Sequence, residues 1–143
     1  MDVRAKRWLL SYAAAAVIFA LIDIVWIVTV VNRQYESQIG GLLAPSVNAA
    51  GAVVFYLVYV VGIVHYGVRP NSADATLRQR VAGAALFGFF TYATWALTAF
   101  AVLKDFPAVV ALTDIAWGVV VCSAVTWLTA TLLRRQLAGA AAP

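Results

Sequence analysis

Residues 8–31 read WLLSYAAAAVIFALIDIVWIVTVV, a run of 24 in which Asp23 is the one charged residue. As a helix rising ~1.5 Å per residue it would extend about 36 Å, more than the ~30 Å hydrocarbon core of a bilayer. Arg4, Lys6 and Arg7 precede it, as basic residues precede a signal peptide. The run is too long for a signal h-region, it carries a carboxylate, and no small-x-small cleavage site follows it. It is therefore read as a retained transmembrane span, and that reading decides the fold.

Three further apolar runs follow, at Ala49–Val68, Val81–Val102 and Ala108–Leu133. Each is near or above the ~20 residues a span requires. Within hydrocarbon a single segment satisfies its own backbone polar groups only as a helix, so each is read as one. Short connections make sequential helices antiparallel neighbours. The expected fold is all-α: a polytopic membrane protein with residues 1–143 forming one domain, an antiparallel bundle of four transmembrane helices. The longest connection is the first, Asn32 to Asn48, where Gly40-Gly41 and Pro45 should interrupt the helix. Its Ile39, Leu42 and Leu43 suit the outer interface. Asp105 and Pro107 suit the start of the fourth helix, as cap and first-turn residue. Ala84 and Gly88, four apart on the third, allow a neighbouring helix close.

The composition agrees. Of 143 residues, 64% are hydrophobic and 11% charged, and the mean hydropathy is +0.91. A soluble domain carries about 25% charged residues. The net charge of +4 does not point to nucleic acid, because the basic residues flank apolar runs instead of forming a patch. One cysteine, Cys122, and one histidine, His65, leave no internal disulfide and no zinc set, so no metal and no cofactor are expected.

The flanking charges set orientation. Arg4, Lys6, Arg7, Arg69, Arg78, Arg80, Arg134 and Arg135 lie on one side of the predicted spans, against Arg33 and Lys104 on the other. Eight against two puts both termini in the cytoplasm.

Asp23 and Asp114 lie inside spans, where a carboxylate costs about 2.5–3.5 kcal/mol on insertion scales and usually marks function or internal pairing. Counting inward from the run ends places Asp23 roughly 22 Å and Asp114 roughly 21 Å from the cytoplasmic boundary. Both should lie at one level in the outer half of the membrane. Asp23-Ile24-Val25-Trp26 and Asp114-Ile115-Ala116-Trp117 share an Asp-Ile-x-Trp pattern that puts Asp and Trp on one helical face. Because the two helices run oppositely, an inverted repeat around a membrane site is one reading.

At a similar level fall Tyr56, Tyr59, Tyr92, Thr94, Trp95 and Thr98. The candidate ligand-binding set is thus Asp23, Trp26, Tyr56, Tyr59, Tyr92, Thr94, Trp95, Thr98, Asp114 and Trp117. The bland alternative is an interfacial belt of Trp and Tyr, with aspartates that join helices by hydrogen bonds. No basic residue lies within the spans. A facing pair of carboxylates should therefore share a proton, bind a cation or bind a cationic group. His65, roughly 15 Å deeper, is out of reach of that level. No catalytic residue is assigned, for no nucleophile or phosphate-loop motif appears.

Over nearly its whole length the chain resembles the membrane-protein family named domain of unknown function 2177. The matching pieces are Asp23 with Trp26; Phe55, Tyr56 and Tyr59; Val68-Arg69-Pro70; Tyr92-Ala93-Thr94; Leu97-Thr98; Leu103-Lys104; and Thr113-Asp114-Ile115-Ala116-Trp117-Gly118. The last is the most specific. The resemblance implies a small bacterial inner-membrane protein with four spans, and it brings no reaction with it. Two positions depart from the pattern: Ala96 stands where Asp, and Ala99 where Asn, would be expected. Chemistry needing a third carboxylate is put in doubt, which leaves Asp23 and Asp114.

The leading functional expectation is a non-enzymatic membrane protein whose outer-half pocket takes a small or lipidic ligand or a partner subunit. A proton-coupled exporter resembling the small multidrug type is the transport alternative, and a lipid-modifying enzyme using the two aspartates as acid and base is the third. Expected partners are the lipid bilayer and a second copy or a larger membrane complex, without nucleic acid.

Overall fold

The computed structural model describes residues 2–69 and 74–139. Pro70 and the Arg135 side chain, both used above, lie outside the described residues. The described chain is all-helical, with four helices long and apolar enough to cross a membrane: Val3–Leu42, Ala49–Val68, Leu77–Val102 and Ala108–Arg134.

The first of these is composite. It comprises α1 (Val3–Trp26), a π turn at Ile27–Val31, α2 (Asn32–Ile39) and a 3₁₀ turn at Gly40–Leu42. The second is α3 (Ala49–Ile63) with a π turn at Val64–Val68; the others are α4 (Leu77–Val102) and α5 (Ala108–Gly139). The helix thus continues beyond the apolar run that ends at Val31, and the connection shrinks to Leu43–Asn48. The glycine pair does not break the helix early; it forms its tightened last turn.

Local chemistry fixes the other ends. The Asn48 side chain accepts from the Gly51 N–H at 3.0 Å and so caps α3. Thr76 and Gln79 form a capping box at α4, each side chain engaging the other's backbone N–H. Thr76→Ala should lower stability by about 1 kcal/mol, measured by reversible unfolding in bicelles; a change near zero would show that this end of α4 frays regardless. Between α4 and α5, Asp105 takes a left-handed conformation with φ 57°, one that Asp tolerates better than most residues. It turns the chain, while the Pro107 carbonyl accepts the N–H groups of Val110 and Ala111 and starts α5 one residue after the proline.

The core is narrow. Phe19, Val60, Ile63, Val64, Val121 and Val125 pack together with Ala15 and Ala84 between them. Around it, Leu21, Val25, Val58, Phe90 and Leu112 are more than half exposed. Helices apolar on every side need an apolar surround, which lipid supplies. α4 and α5 pack along their lengths, and at Gly88 and Gly118 the two backbones meet. A β-carbon on Gly118 would lie 2.7 Å from the Gly88 carbonyl oxygen, and one on Gly88 would overlap the Gly118 carbonyl. Only glycine fits at that crossing. α2 covers the same end of the bundle as the α4–α5 turn: Ile39 is buried with Ala96, Ala99, Phe106, Val110 and Ala111.

Candidate functional site

α1 presents Ala15, Phe19 and Asp23 inward at four-residue spacing, so the carboxylate is carried to the core by the same face that builds it. Asp23 is 6% exposed, and both its oxygens are occupied. Oδ2 accepts from the Tyr56 hydroxyl of α3 at 2.5 Å. Oδ1 accepts from the Trp117 indole N–H of α5 at 3.1 Å. One carboxylate thereby joins three helices through neutral donors.

Asp114 is buried to a similar degree, 5% exposed, but is used differently. Its Oδ2 accepts from the Tyr35 hydroxyl of α2 at 2.8 Å, while Oδ1 has no hydrogen-bond partner among the described residues. Beside that bond, the Gln34 amide donates to Thr113 Oγ1 at 3.1 Å, so α2 is fastened to α5 twice. Trp117 lies three residues beyond Asp114, about one turn, and helical side chains lean toward the N-terminus. The two carboxylates therefore attach within about one turn of each other along α5, yet no hydrogen bond joins them.

The shared Asp-Ile-x-Trp pattern brings its tryptophans together. Trp26 and Trp117 stack with ring centroids 4.2 Å apart and planes within 4°, an arrangement worth roughly 0.5–1.5 kcal/mol beyond its buried area. The symmetry stops at the hydrogen bonds. Trp117 donates to Asp23, whereas the donor to Asp114 is Tyr35.

Next to Asp114 is a cavity of about 260 Å³ lined by Tyr35, Phe55, Tyr59, Thr91, Tyr92, Trp95 and Asp114. Tyr59 is held in its wall: its hydroxyl lies 3.2 Å from Thr91 Oγ1 and 3.1 Å from Cys122 Sγ. Its ring contacts Phe19, Phe87 and Tyr92 at centroid distances of 5.2–6.0 Å. Phe55 and Trp95 are 43% and 58% exposed. They rim the cavity on α3 and α4, so its mouth faces sideways out of the bundle.

Of the residues singled out from sequence, Asp23, Trp26, Tyr56 and Trp117 form one hydrogen-bonded and stacked cluster, and Tyr59, Tyr92, Trp95 and Asp114 line the cavity. Thr94 and Thr98 join neither. Both are exposed, and the Thr94 hydroxyl turns back to the Phe90 carbonyl of its own helix at 2.6 Å. Gly88 must face α5, and Thr94 and Thr98 lie about 240° and 280° around the helix from it at 100° per residue. Tyr35, Gln34 and Thr91 were not singled out, and Thr113 only as part of the motif around Asp114. A signal for Tyr35 existed: Tyr35 and Ile39 are four apart, with Arg33, Glu36 and Ser37 on the other faces. His65 is exposed and stands edge-on to Tyr66 at 4.9 Å, away from both aspartates.

Ala96 and Ala99 explain themselves. They are 0% and 2% exposed beneath Ile39 and Phe106, where an unpaired polar group would be costly. Small apolar side chains there let α2 settle onto the bundle.

Among the described residues, no group of three His, Cys, Asp or Glu side chains is placed to hold a metal ion. A family model described as a predicted membrane protein, DUF2177, matches residues 8–131. No curated protein matches the chain, and no solved structure does.

Proposed function

This chain belongs to the DUF2177 family of predicted membrane proteins, and we propose that it holds a small ligand bearing a cationic group in the cavity beside Asp114. The observation that carries this reading is the unequal use of the two aspartates. Asp23 has both oxygens filled and joins helices. Asp114 has one oxygen without a hydrogen-bond partner among the described residues, and it lines a cavity whose other lining is mainly aromatic. A carboxylate without a counter-charge in a low-dielectric site favours a cation, and Tyr and Trp faces favour the same charge through their quadrupoles. At about 260 Å³ the cavity suits a ligand smaller than most drugs. Its sideways mouth suits a molecule that arrives through the bilayer.

With the eight basic residues of one end in the cytoplasm, the cavity lies in the outer half of a bacterial inner membrane. Among the described residues, nothing favours the exporter or the lipid-modifying enzyme over this reading.

Benzyltrimethylammonium is a suitable probe, with neopentylbenzene as its uncharged isostere. In nanodiscs the cation should quench or shift tryptophan fluorescence saturably, and Asp114→Asn should weaken its binding at least about tenfold, the loss of one charge-assisted contact. Asp23→Asn should weaken it less. Equal binding of the neutral isostere, or an unchanged affinity in Asp114→Asn, would remove the proposal.

A further inference from the structure

At the opposite end of the bundle from Asp114, a cavity of about 150 Å³ is lined by Ser11, Val68, Arg69, Arg80, Leu133 and Arg134, with Ala130 behind them. Three arginines, one at the end of the second span, one on α4 and one on α5, thus line one small space. Arg80 is fixed there: its Nε donates to the Ala75 carbonyl at 3.0 Å, and an Nη1 bond to the Val68 carbonyl closes the last turn of the second span. That uses two of its five N–H donors. Arg69 is partly buried and Arg134 exposed.

The chain has six carboxylates. Asp23 and Asp114 belong to the clusters already described, while Glu36 and Asp105 lie on α2 and the α4–α5 turn at the far end. Asp2 caps α1 by accepting from the Arg4 N–H, and Asp74 is exposed. None of the guanidinium hydrogen bonds among the described residues goes to a carboxylate. Three like charges converging on one cavity, with no hydrogen-bonded counter-ion among the described residues, leave an anion as the partner that relieves their repulsion.

We infer that this cavity is a binding site for a phosphate-type oxyanion, held by the forked donors of Arg69, Arg80 and Arg134. The chemistry fits because guanidinium groups present paired N–H donors at the spacing of phosphate oxygens. The place fits as well. These arginines flank the ends of three apolar spans, the level at which a spanning helix meets lipid headgroups, and basic pockets between spans take anionic headgroups. An anionic lipid and free phosphate offer the same oxyanion, so the test separates them.

The full-length protein is placed in nanodiscs of phosphatidylcholine alone or with phosphatidylglycerol, and retained lipid is read by native mass spectrometry. The wild type should retain phosphatidylglycerol selectively. The Arg69→Gln/Arg134→Gln double variant should lose that preference by about 25-fold, at about fivefold per arginine removed. Arg4→Gln/Arg78→Gln removes two exposed charges from the same end, outside the cavity, and should change it less than about threefold.

If added inorganic phosphate displaces the lipid, with the same dependence on Arg69 and Arg134, the site stands and its natural occupant is the free ion. Equal loss in both double variants would overturn the site, since charge alone would then account for the preference. So would a wild type that retains phosphatidylglycerol no better than phosphatidylcholine and also binds no added inorganic phosphate, measurements that do not depend on any variant folding. None of these outcomes involves Asp114, so the ligand reading given earlier stands or falls separately.

Discussion

Gly88→Ala is expected to destabilise the bundle by about 3 kcal/mol, at the upper end of what a single added methyl costs in a packed interior. The size follows from what the methyl meets. Most overpacked side chains push against other side chains that can change rotamer. Here the obstacle is the Gly118 carbonyl, part of a helix that moves only as a body. Gly118→Ala presses on the Gly88 carbonyl and the Tyr92 ring and should cost nearly as much. The combined variant should fall short of the sum, because once α4 and α5 have parted for one methyl the second finds room. Reversible unfolding in bicelles measures this, with exposed Phe89→Ala as a neutral reference. A Gly88→Ala protein as stable as the wild type would mean that the two helices do not need that contact.

Asp23→Leu is expected to cost about 2–3 kcal/mol. The substitution removes one acceptor group but strands two donors, the Tyr56 hydroxyl and the Trp117 indole N–H. Interhelical hydrogen bonds in membranes average about 0.6 kcal/mol and reach about 1.7, and two broken together account for the figure. Asp23→Asn keeps an oxygen and should retain part of it. Double-mutant cycles of Asp23→Leu with Tyr56→Phe and with Trp117→Phe should each return a coupling of about 0.6–1.7 kcal/mol. Asp114→Leu strands only Tyr35 and should cost about half as much. Coupling energies of zero in both cycles would show that Asp23 is buried without holding the helices.

The four spans were legible because lipid imposes a length and a composition that no soluble fold matches. The same arithmetic put Asp23 and Asp114 near each other along the bundle, and they attach within about one turn of each other on α5. Azimuth was harder. Thr94 and Thr98 lie within two turns of Tyr92 along α4 but not on its face, and what fixes that face is the contact of Gly88 with a glycine on another helix. In a segment apolar on all sides, no amphipathic pattern reports which side packs. The division of labour between the carboxylates was hidden for a related reason: Asp23 and Asp114 sit in matching motifs, and only the donors around them differ. One of those donors, Tyr35, lies in a stretch whose polarity suggested a loop. Its helicity is sustained by Ile39 reaching the apolar cluster of Ala96, Ala99 and Phe106.

The π turns at Ile27–Val31 and Val64–Val68 bear on how chains of this kind are compared. A π turn accommodates one residue more than the α turn it replaces, so each acts as a one-residue insertion absorbed without breaking the helix. Deleting a residue at Ile27–Val31 would restore the α repeat and swing everything after it by about 100°, carrying Tyr35 away from Asp114. A single-residue gap in the middle of a span is then a change of rotational phase, and sequences that differ by one residue there present different side chains to the same carboxylate.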